Sequence, residues 1–346
     1  MNLTTERFTN NFDFLRVMAA LLIAFSHSYA LLNQYPVEPF MLLTNHKYDG
    51  SFIALGIFFS ISGFLITKSA VHSTSLLHYA WKRFLRIQPL LIVVTLLSIF
   101  LIGPLFTGLD MRSYFSSPET YTYLRNSFPA TGIQFGLPGV FEHNLKENGI
   151  NGSLWTLIVE ERLYIFTALI FFLQHKYKKP YILLIVFYNL LYIWNQKIGQ
   201  FSSSNLLNGQ SAYYALMFLN AGLFYLSGYD FKQKPSVFYI LLIGLLLAVS
   251  LIFPAMDYFQ LIFFPLLVIV FAYLRMPTNK AGKWGDFTYG IYIFSFPVQQ
   301  MLIAFAKGSL KPLQLFAYTV AICLPLAILS WHILEKKMLK LKDRIK

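Results

Sequence analysis

Phe12 to Leu32, FDFLRVMAALLIAFSHSYALL, is the stretch that decides the fold. A helix needs about 20 predominantly apolar residues to cross a bilayer, and this run is long enough. Arg16 lies near its start and His27 near its end, 11 residues later. This spacing is about three helical turns, so both side chains lie on one stripe, roughly 16 Å apart along the axis. Ionisable side chains in a spanning helix mark a functional site by default.

A structural interpretation of this pair is the alternative. Arg16 could extend to the lipid headgroups, and His27 could lie near the opposite interface, where neither needs a protein partner. The shared stripe favours the functional interpretation. Asp13 lies one turn before Arg16 on the same side of the helix, so the spacing also predicts an ion pair between them.

The composition extends the membrane interpretation to the whole chain. Of 346 residues, 56% are hydrophobic and only 12% are charged, about half the charged share of a soluble domain. Long apolar runs recur to the end of the chain, which predicts an all-α, polytopic membrane bundle. The net charge of +13 is spread in short basic clusters between these runs. That distribution indicates membrane topology, with lipids as partners, and excludes nucleic acid.

The apolar runs predict about ten spanning helices in a single domain, 1–346, which includes a short cytoplasmic tail at 335–346. Basic residues cluster in alternate connectors and in the tail. By the positive-inside rule, both termini are cytoplasmic and the protein is a multi-pass protein of the inner membrane. Only Lys307 and Lys311 depart from this rule. The predicted helices cover 12–32, 51–69, 86–102, 153–173, 180–196, 211–228, 237–253, 258–274, 287–306 and 314–334.

The longest connector, 103–152, contains prolines at positions 104, 118, 129 and 138. A connector of this length is usually functional or disordered. Because the charge pattern puts it on the outer side, we expect it to shape the mouth of a cavity. The histidines of the chain are scattered without the spacing of metal ligands on a helix, so no metal site is predicted.

Small residues form one face of the second predicted helix. Gly56, Ser60 and Gly63 fall at spacings of four and three, which lets another helix approach closely. Tight packing and a direct functional role both fit this face.

Two arginines lie at the start of the third predicted helix. Arg83 and Arg86 are three residues apart and share one face. Each guanidinium group offers a planar fork of donors, so the pair suits a phosphate-bearing ligand. Ordinary anchoring at the cytoplasmic interface explains the charge but not the spacing. The sequence leaves both interpretations open.

Three consecutive charges, Glu160–Arg162, lie in the middle of the fourth predicted helix. They point about 100° apart, so they cannot all face one partner. Thr156, Glu160 and Tyr164 share a stripe, as do Ser153 and Glu160, which predicts that Glu160 faces a polar cavity. The alternative is a structural ion pair between a carboxylate of this helix and an internal arginine.

Together these motifs resemble the membrane-bound acyltransferase-3 family of integral membrane O-acyltransferases, of the single-domain type. The match keeps the order of the family's motifs along the whole chain. Ser295 departs from the pattern, because many members have histidine there. The matching residues are Asp13, Arg16 and His27; Phe58, Phe59, Ser62, Gly63 and Phe64; Arg83, Arg86, Ile87 and Pro89; Trp155, Thr156, Leu157 and Glu160; Thr288, Tyr289, Gly290, Ile291, Tyr292 and Pro297; and Ser330, Trp331 and Glu335.

The resemblance implies transfer of an acyl group, usually acetyl, from cytoplasmic acyl-CoA to a hydroxyl of an extracytoplasmic glycan such as O-antigen or exopolysaccharide. Acyl-CoA is then the donor substrate, a glycan or lipid-linked glycan is the acceptor, and no cofactor is bound permanently. An alternative from another class is a transporter or flippase for a glycan or lipid intermediate, which would use the same buried charges as a substrate path. The lack of inverted repeats argues against it. The sequence does not determine the oligomeric state.

On this interpretation His27 and Glu160 are catalytic, and Arg16, Arg83 and Arg86 bind the donor. A neutral imidazole can take the proton from an attacking sugar hydroxyl, or it can accept the acyl group itself. Both possibilities stay open. The residues expected to support the site are Asp13, Ser153, Trp155, Tyr164 and Tyr292.

Overall fold

The computed structural model describes residues 10–145, 149–173, 178–198, 209–231, 237–252 and 257–345. Within these ranges the protein is helical, and the strand-type pairing is a single isolated bridge between Thr107 and Val140. The prediction of an all-α fold is therefore confirmed for the part of the chain that is described.

Ten long helices lie close to the positions that the apolar runs predict, except that the third begins at Leu76, ten residues before its predicted start at 86, because its first turns are polar and basic and so lie outside the apolar run. The periodicity of the apolar residues is a local property, so it locates the helices well. Their bounds are α1 Phe12–Leu31, α2 Gly50–His72, α3 Leu76–Leu97, α4 Leu154–Leu173, α5 Lys178–Ile198, α6 Gly209–Leu226, α7 Val237–Ile252, α8 Asp257–Ala272, α9 Thr288–Phe305 and α10 Pro312–Ser330.

Four helical segments among the described residues are long and apolar enough to cross a membrane. They are Phe12–Leu31, Gly50–His72, Leu76–Phe106 and Pro312–Leu339. A fifth candidate joins Tyr258–Ala272 to Pro277–Lys283 through a bend of 83°. This pattern is that of a helical membrane protein. The count of ten spans and the side on which each terminus lies stay predictions.

The small-residue face of α2 is a close helix contact. A Cβ atom at Gly63 would lie 1.9 Å from the backbone oxygen of Phe218 on α6, and one at Gly56 would lie 2.9 Å from the Phe264 ring on α8. Larger side chains would push these helices apart, so glycine permits the contact. This face therefore packs the bundle, as one of the two interpretations of the sequence predicts.

The connector between α3 and α4 is folded rather than extended. Short helical segments at Met111–Ser116, Pro118–Thr122, Tyr123–Ser127 and Pro129–Thr131 surround the buried side chains of Tyr114 and Tyr123. The Tyr114 hydroxyl donates a hydrogen bond of 2.8 Å to the backbone oxygen of Ile99, near the end of the helical run from α3. The connector thus has a small core of its own, made of residues that a solvated loop would not bury.

One end of the bundle, which we call the tail end, collects the segments near both termini. The Asn11 amide donates a hydrogen bond of 2.7 Å to the backbone oxygen of Leu274, just after α8. The Trp81 indole donates one of 3.0 Å to the backbone oxygen of Leu341 in the tail. Connectors that the charge pattern groups on one side of the membrane therefore lie together.

The opposite end, which we call the connector end, carries the folded segment between α3 and α4. The Asn33 amide, just after α1, donates a hydrogen bond of 3.3 Å to the backbone oxygen of Leu145. The Asn144 amide donates one of 3.0 Å to the backbone oxygen of Gln300 on α9. The long connector is thereby tied to the ends of α1 and α9.

Candidate active site

A cavity opens among α1, α2, α3, α4 and α9, and we call it the arginine cavity. About 850 Å³ of space in the cavity and at its open mouth is filled by no atom, and this figure includes bulk solvent. Its wall combines three guanidinium groups with one carboxylate and a ring of aromatic and aliphatic side chains. The lining residues are Arg16, Leu55, Phe58, Phe59, Ser62, Leu65, Ile66, Arg83, Arg86, Ile87, Thr156, Leu157, Glu160, Tyr164, Thr288, Tyr289 and Tyr292.

Two of the three arginines share a carboxylate that the sequence analysis did not single out. The Arg86 guanidinium lies 2.7 Å from an oxygen of Asp286, and that of Arg16 lies 4.0 Å from the same oxygen. Arg16 also lies 3.8 Å from Asp13, which confirms the predicted ion pair. Asp286 precedes α9 by two residues, and its position beside the Thr288 motif is the signal that could have identified it. These acids fix the direction of both guanidinium groups.

Arg83 is held differently from its neighbour. Its guanidinium carbon lies 5.8 Å from the centre of the Tyr164 ring. In the part of the chain that the structure describes, Arg83 forms no ion pair and its buried Nε atom has no hydrogen-bond partner. A buried donor without a partner is costly, so it is suited to an anionic group that enters the cavity.

Glu160 faces the cavity, as the predicted stripe of Thr156, Glu160 and Tyr164 requires. Its carboxylate accepts a hydrogen bond of 3.0 Å from the Ser62 hydroxyl and a short one from the Tyr164 hydroxyl. The predicted alternative, an ion pair with an internal arginine, is wrong for both carboxylates of this helix within the described residues. Hydroxyl partners hold the carboxylate in place and leave its charge available in the cavity.

Glu161 turns away from the cavity and bonds to the connector. Its carboxylate accepts a hydrogen bond of 2.6 Å from the Gln88 amide and one of 2.7 Å from the backbone N–H of Ala130. The neighbouring Arg162 is exposed on the outside of the bundle. Its guanidinium group donates hydrogen bonds of 3.4 Å to the backbone oxygen of Ala130. Glu160 therefore faces the cavity, whereas Glu161 and Arg162 both bond to the connector.

Tyr292 links α9 to the start of α4. Its hydroxyl shares a hydrogen bond with the Thr156 hydroxyl and donates one of 2.8 Å to the backbone oxygen of Ser153. Trp155 lies outside the cavity wall, and its ring packs 6.1 Å from that of Tyr214. Of these supporting residues, Tyr292 and Tyr164 line the cavity, whereas Ser153 and Trp155 lie behind its wall.

His27 lies outside the wall of the arginine cavity, nearer the connector end of α1. Its ring meets the Phe296 ring edge to face at 5.4 Å between centres. No hydrogen bond joins His27 to Glu160 in the described residues, and the buried Nδ1 atom of His27 has no partner there. The structure brings Arg16, Arg83, Arg86 and Glu160 together and holds His27 apart. A catalytic role for His27 and Glu160 stays a prediction.

Gln299 is a polar neighbour of His27 that the sequence analysis missed. Its amide donates hydrogen bonds of 2.7 Å to the backbone oxygen of Ala24 and 2.8 Å to the Ser28 hydroxyl. These partners flank His27 on α1. A polar Gln-Gln pair within the apolar run of α9 is the signal that could have identified it. Gln299 thereby fixes α9 against the part of α1 that carries the imidazole.

A helical bundle with several long apolar segments, and with three guanidinium groups and a carboxylate in one cavity, defines the class as an integral membrane protein. The chain belongs to the acyltransferase-3 family: the family's acyltransferase domain matches residues 9–333. In the described ranges, no three His, Cys, Asp or Glu side chains cluster as metal ligands.

Two relatives cover nearly the whole chain. One is an O-acetyl transferase of Shigella phage Sf6, which is 30% identical over 342 residues, or 96% of each chain. The other is nodulation protein 10 of Rhizobium leguminosarum bv. viciae, which is 26% identical over 367 residues, or 97% of this chain and 95% of its own. No solved structure matches the chain.

Proposed function

We propose that the protein transfers an acyl group, namely acetyl, from cytoplasmic acyl-CoA to a hydroxyl of an extracytoplasmic glycan. The observation that carries this proposal is the convergence of Arg16, Arg83 and Arg86 on one cavity of an acyltransferase-3 protein. The relative named as an O-acetyl transferase supports acetyl as the group transferred. Neither the family nor the relatives support the alternative of a transporter or flippase.

Coenzyme A carries several phosphate groups, and guanidinium forks match phosphate oxygens in both charge and geometry. An arginine that only anchors the protein would extend to the lipid headgroups. The two arginines of α3 line an internal cavity instead. Arg83, which has no ion pair in the described residues, is the group best able to accept a new phosphate partner.

The donor would enter at the tail end of the bundle. Basic residues cluster in the connectors and the tail that meet there, so the positive-inside rule assigns this end to the cytoplasm. We propose that all ten long helices span the inner membrane and that both termini are cytoplasmic. Labelling of a Tyr121→Cys variant in a Cys323→Ala background tests the orientation, because Tyr121 is 45% exposed on the connector. Labelling from the cytoplasm alone would refute it.

The distance between Arg16 and His27 suits such a donor. The two residues lie roughly 16 Å apart along α1. The pantetheine arm of coenzyme A is extended, so phosphates held by the arginines leave the thioester to reach towards the imidazole. As a general base, His27 takes the hydroxyl proton while the sugar oxygen attacks the thioester carbon and the thiolate leaves. As a nucleophile, it carries the acyl group first.

The proposed function is tested with the surface polysaccharide of the strain that carries the protein. Mass spectrometry with and without the protein should show a difference of one acetyl group per modified sugar. The purified protein in lipid should then transfer labelled acetyl from acetyl-CoA to the same polysaccharide after alkaline removal of its esters. An identical polysaccharide in both strains, with no transfer in lipid, would refute the proposal.

A further inference from the structure

A second cavity lies at the connector end, and we call it the connector cavity. About 1160 Å³ of space in the cavity and at its open mouth is filled by no atom, and this figure includes bulk solvent. Two parts of the folded connector form most of its wall, and the end of α9 with the turn that follows closes it. The lining residues are Leu105, Phe106, Thr107, Gly108, Gly139, Phe141, Glu142, His143, Asn144, Leu145, Ile303, Ala304, Lys307 and Gly308.

The polar side chains of this cavity are available to a ligand. Glu142, His143 and Lys307 are exposed, and none of them forms a hydrogen bond or an ion pair through its side chain with a described residue. A carboxylate accepts hydrogen bonds and an ammonium group donates them, so Glu142 and Lys307 offer complementary partners. These two side chains of opposite charge lie in one wall but do not pair with each other. Both are therefore able to interact with a bound ligand.

An aromatic surface accompanies these polar groups. The ring of Phe106 lies 5.0 Å from that of Phe141 and 5.0 Å from that of Phe305, centre to centre. Phe106 is only partly buried and lines the cavity. The combination of an aromatic ring with hydrogen-bonding groups in the same wall fits a molecule that has both apolar and polar surfaces.

The backbone of the cavity is held in an unusual conformation. Phe141 adopts a left-handed φ of 59°, a region that residues other than glycine rarely occupy. The φ of 48° at Lys307 is the usual left-handed end of a helix, here α9. Hydrogen bonds brace the wall near Phe141: Gly108 N–H donates to the oxygen of Gly139 at 2.9 Å. Such conformations persist where the surroundings enforce them, and they cluster at functional sites. The wall near Phe141 therefore has a defined backbone conformation that its surroundings hold in place.

The connector cavity lies beyond His27 along the bundle. Phe296, which contacts the His27 ring, and Ile303, which lines the cavity, are seven residues apart on α9, or about 10 Å. The Asn33 hydrogen bond to Leu145 brings the end of α1 to the same wall. The order along the axis is thus the arginine cavity, His27 and the connector cavity.

We propose that the connector cavity binds a saccharide unit of the acceptor glycan. Glu142 accepts hydrogen bonds from sugar hydroxyls, Lys307 donates to ring or hydroxyl oxygens, and Phe106 packs against the apolar face of the sugar. This inference rests on the proposed function. It also explains why Lys307 departs from the positive-inside rule: its charge serves a ligand and not the topology.

The test measures acceptor binding and donor use separately in Glu142→Gln and Lys307→Met. The probe is the surface polysaccharide of the host strain after alkaline removal of its esters. We expect the KM for this acceptor to rise about tenfold in each variant, as for the loss of a charge-assisted hydrogen bond. The KM for acetyl-CoA and the rate at saturating acceptor should stay within twofold of the original values.

Two variants make the same charge changes nearby and serve as controls. Glu119→Gln alters an exposed carboxylate of the same connector, and Lys311→Met alters the other basic residue that departs from the charge rule; neither lines the cavity. Both should leave the acceptor KM unchanged. An equal rise of the acceptor KM in a control and in its paired variant would overturn the inference. Any loss of charge at this end of the bundle would then raise the acceptor KM, whether or not the residue lines the cavity.

Binding of the same polysaccharide to the protein in nanodiscs separates this inference from the proposed function. Acetyl transfer could fail while the polysaccharide still binds, with that binding weakened tenfold in Glu142→Gln and Lys307→Met. This result would support the saccharide site and refute the proposed function. If the protein transfers acetyl and both variants keep the original acceptor KM, this inference alone is refuted. Absence of any polysaccharide binding would also refute it.

Discussion

The two cavities differ in how they hold their charged side chains: a carboxylate holds two of the three arginines in the arginine cavity, with Arg83 as the exception, and no such partner holds the charged groups of the connector cavity within the described residues. In the arginine cavity, Arg16 and Arg86 lie against Asp286, so their directions are set before a ligand arrives. In the connector cavity, Glu142 and Lys307 have no such partners among the described residues. Pre-oriented groups lose little freedom on binding and suit one invariant ligand, whereas free side chains can adapt. Under the proposed function, the first cavity receives a constant donor and the second a variable glycan.

The largest effect is expected between the two cavities, at His27. His27→Ala should lower acetyl transfer by at least ~10²–10⁴, because the site loses its general base or its nucleophile. Transfer by the purified variant in lipid is the measurement. His72→Ala is the matched control, since His72 ends α2 and lines neither cavity. If the turnover of His27→Ala were within a few-fold of that of the original protein, His27 would have no catalytic role and the first helix would be structural.

The adjacent carboxylates of α4 offer the next largest contrast. Glu160→Gln should lower the rate about a hundredfold, since Glu160 is predicted to be catalytic and is the carboxylate in the cavity wall, and the loss of a catalytic acid or base typically costs at least this much. Glu161→Gln should leave the rate within a few-fold and lower the free energy of unfolding by ~1.5–3 kcal/mol, because an amide cannot accept from both Gln88 and Ala130. Thermal unfolding in detergent and transfer in lipid separate the two. An equal loss of rate in both variants would contradict the assignment of Glu160 to catalysis and of Glu161 to stability.

A smaller effect is expected for the arginines of α3, which differ in their partners. Arg83→Ala should raise the KM for acetyl-CoA about ten- to a hundredfold, the equivalent of ~1.5–3 kcal/mol for a lost charge-assisted contact. Protein abundance should not fall with it. Arg86→Ala should raise the same KM and also lower stability, since it removes the 2.7 Å partner of Asp286.

The corresponding lysine variants sharpen this test. Arg83→Lys should restore only part of the donor affinity, because lysine keeps the charge but lacks the planar fork. Full rescue by lysine would mean that charge alone is needed. If the donor affinity were unchanged in both alanine variants, the alternative interpretation, in which these arginines only anchor the protein at the membrane interface, would be supported.

The smallest effect is expected for the residue that orients the arginines. Asp286→Asn should raise the KM for acetyl-CoA about fivefold, the equivalent of ~1 kcal/mol, because Arg86 keeps its charge but loses an ionic partner. The acceptor KM should not change. A rise in the KM for the acceptor, with no rise in the KM for acetyl-CoA, would show that Asp286 acts on acceptor binding. That result would contradict the difference proposed between the two cavities.

Much of the fold and part of the site were predictable from the sequence because they depend on local geometry. The apolar runs located the ten helices, since hydrophobic periodicity acts over a few turns. The pairing of Asp13 with Arg16 followed from their spacing of three residues. The stripe of Thr156, Glu160 and Tyr164 followed from the helical repeat in the same way.

Only the tertiary structure decided which helices meet. Asp286 bonds to Arg86 across 200 positions of the chain, and Ala130 bonds to Glu161 across 31. Gln299 reaches Ser28 across 271. No spacing within a helix encodes such pairs, because they arise from the packing of helices whose order in space differs from their order in the chain. The sequence by itself determined which residues share a face, and packing decided what each face meets.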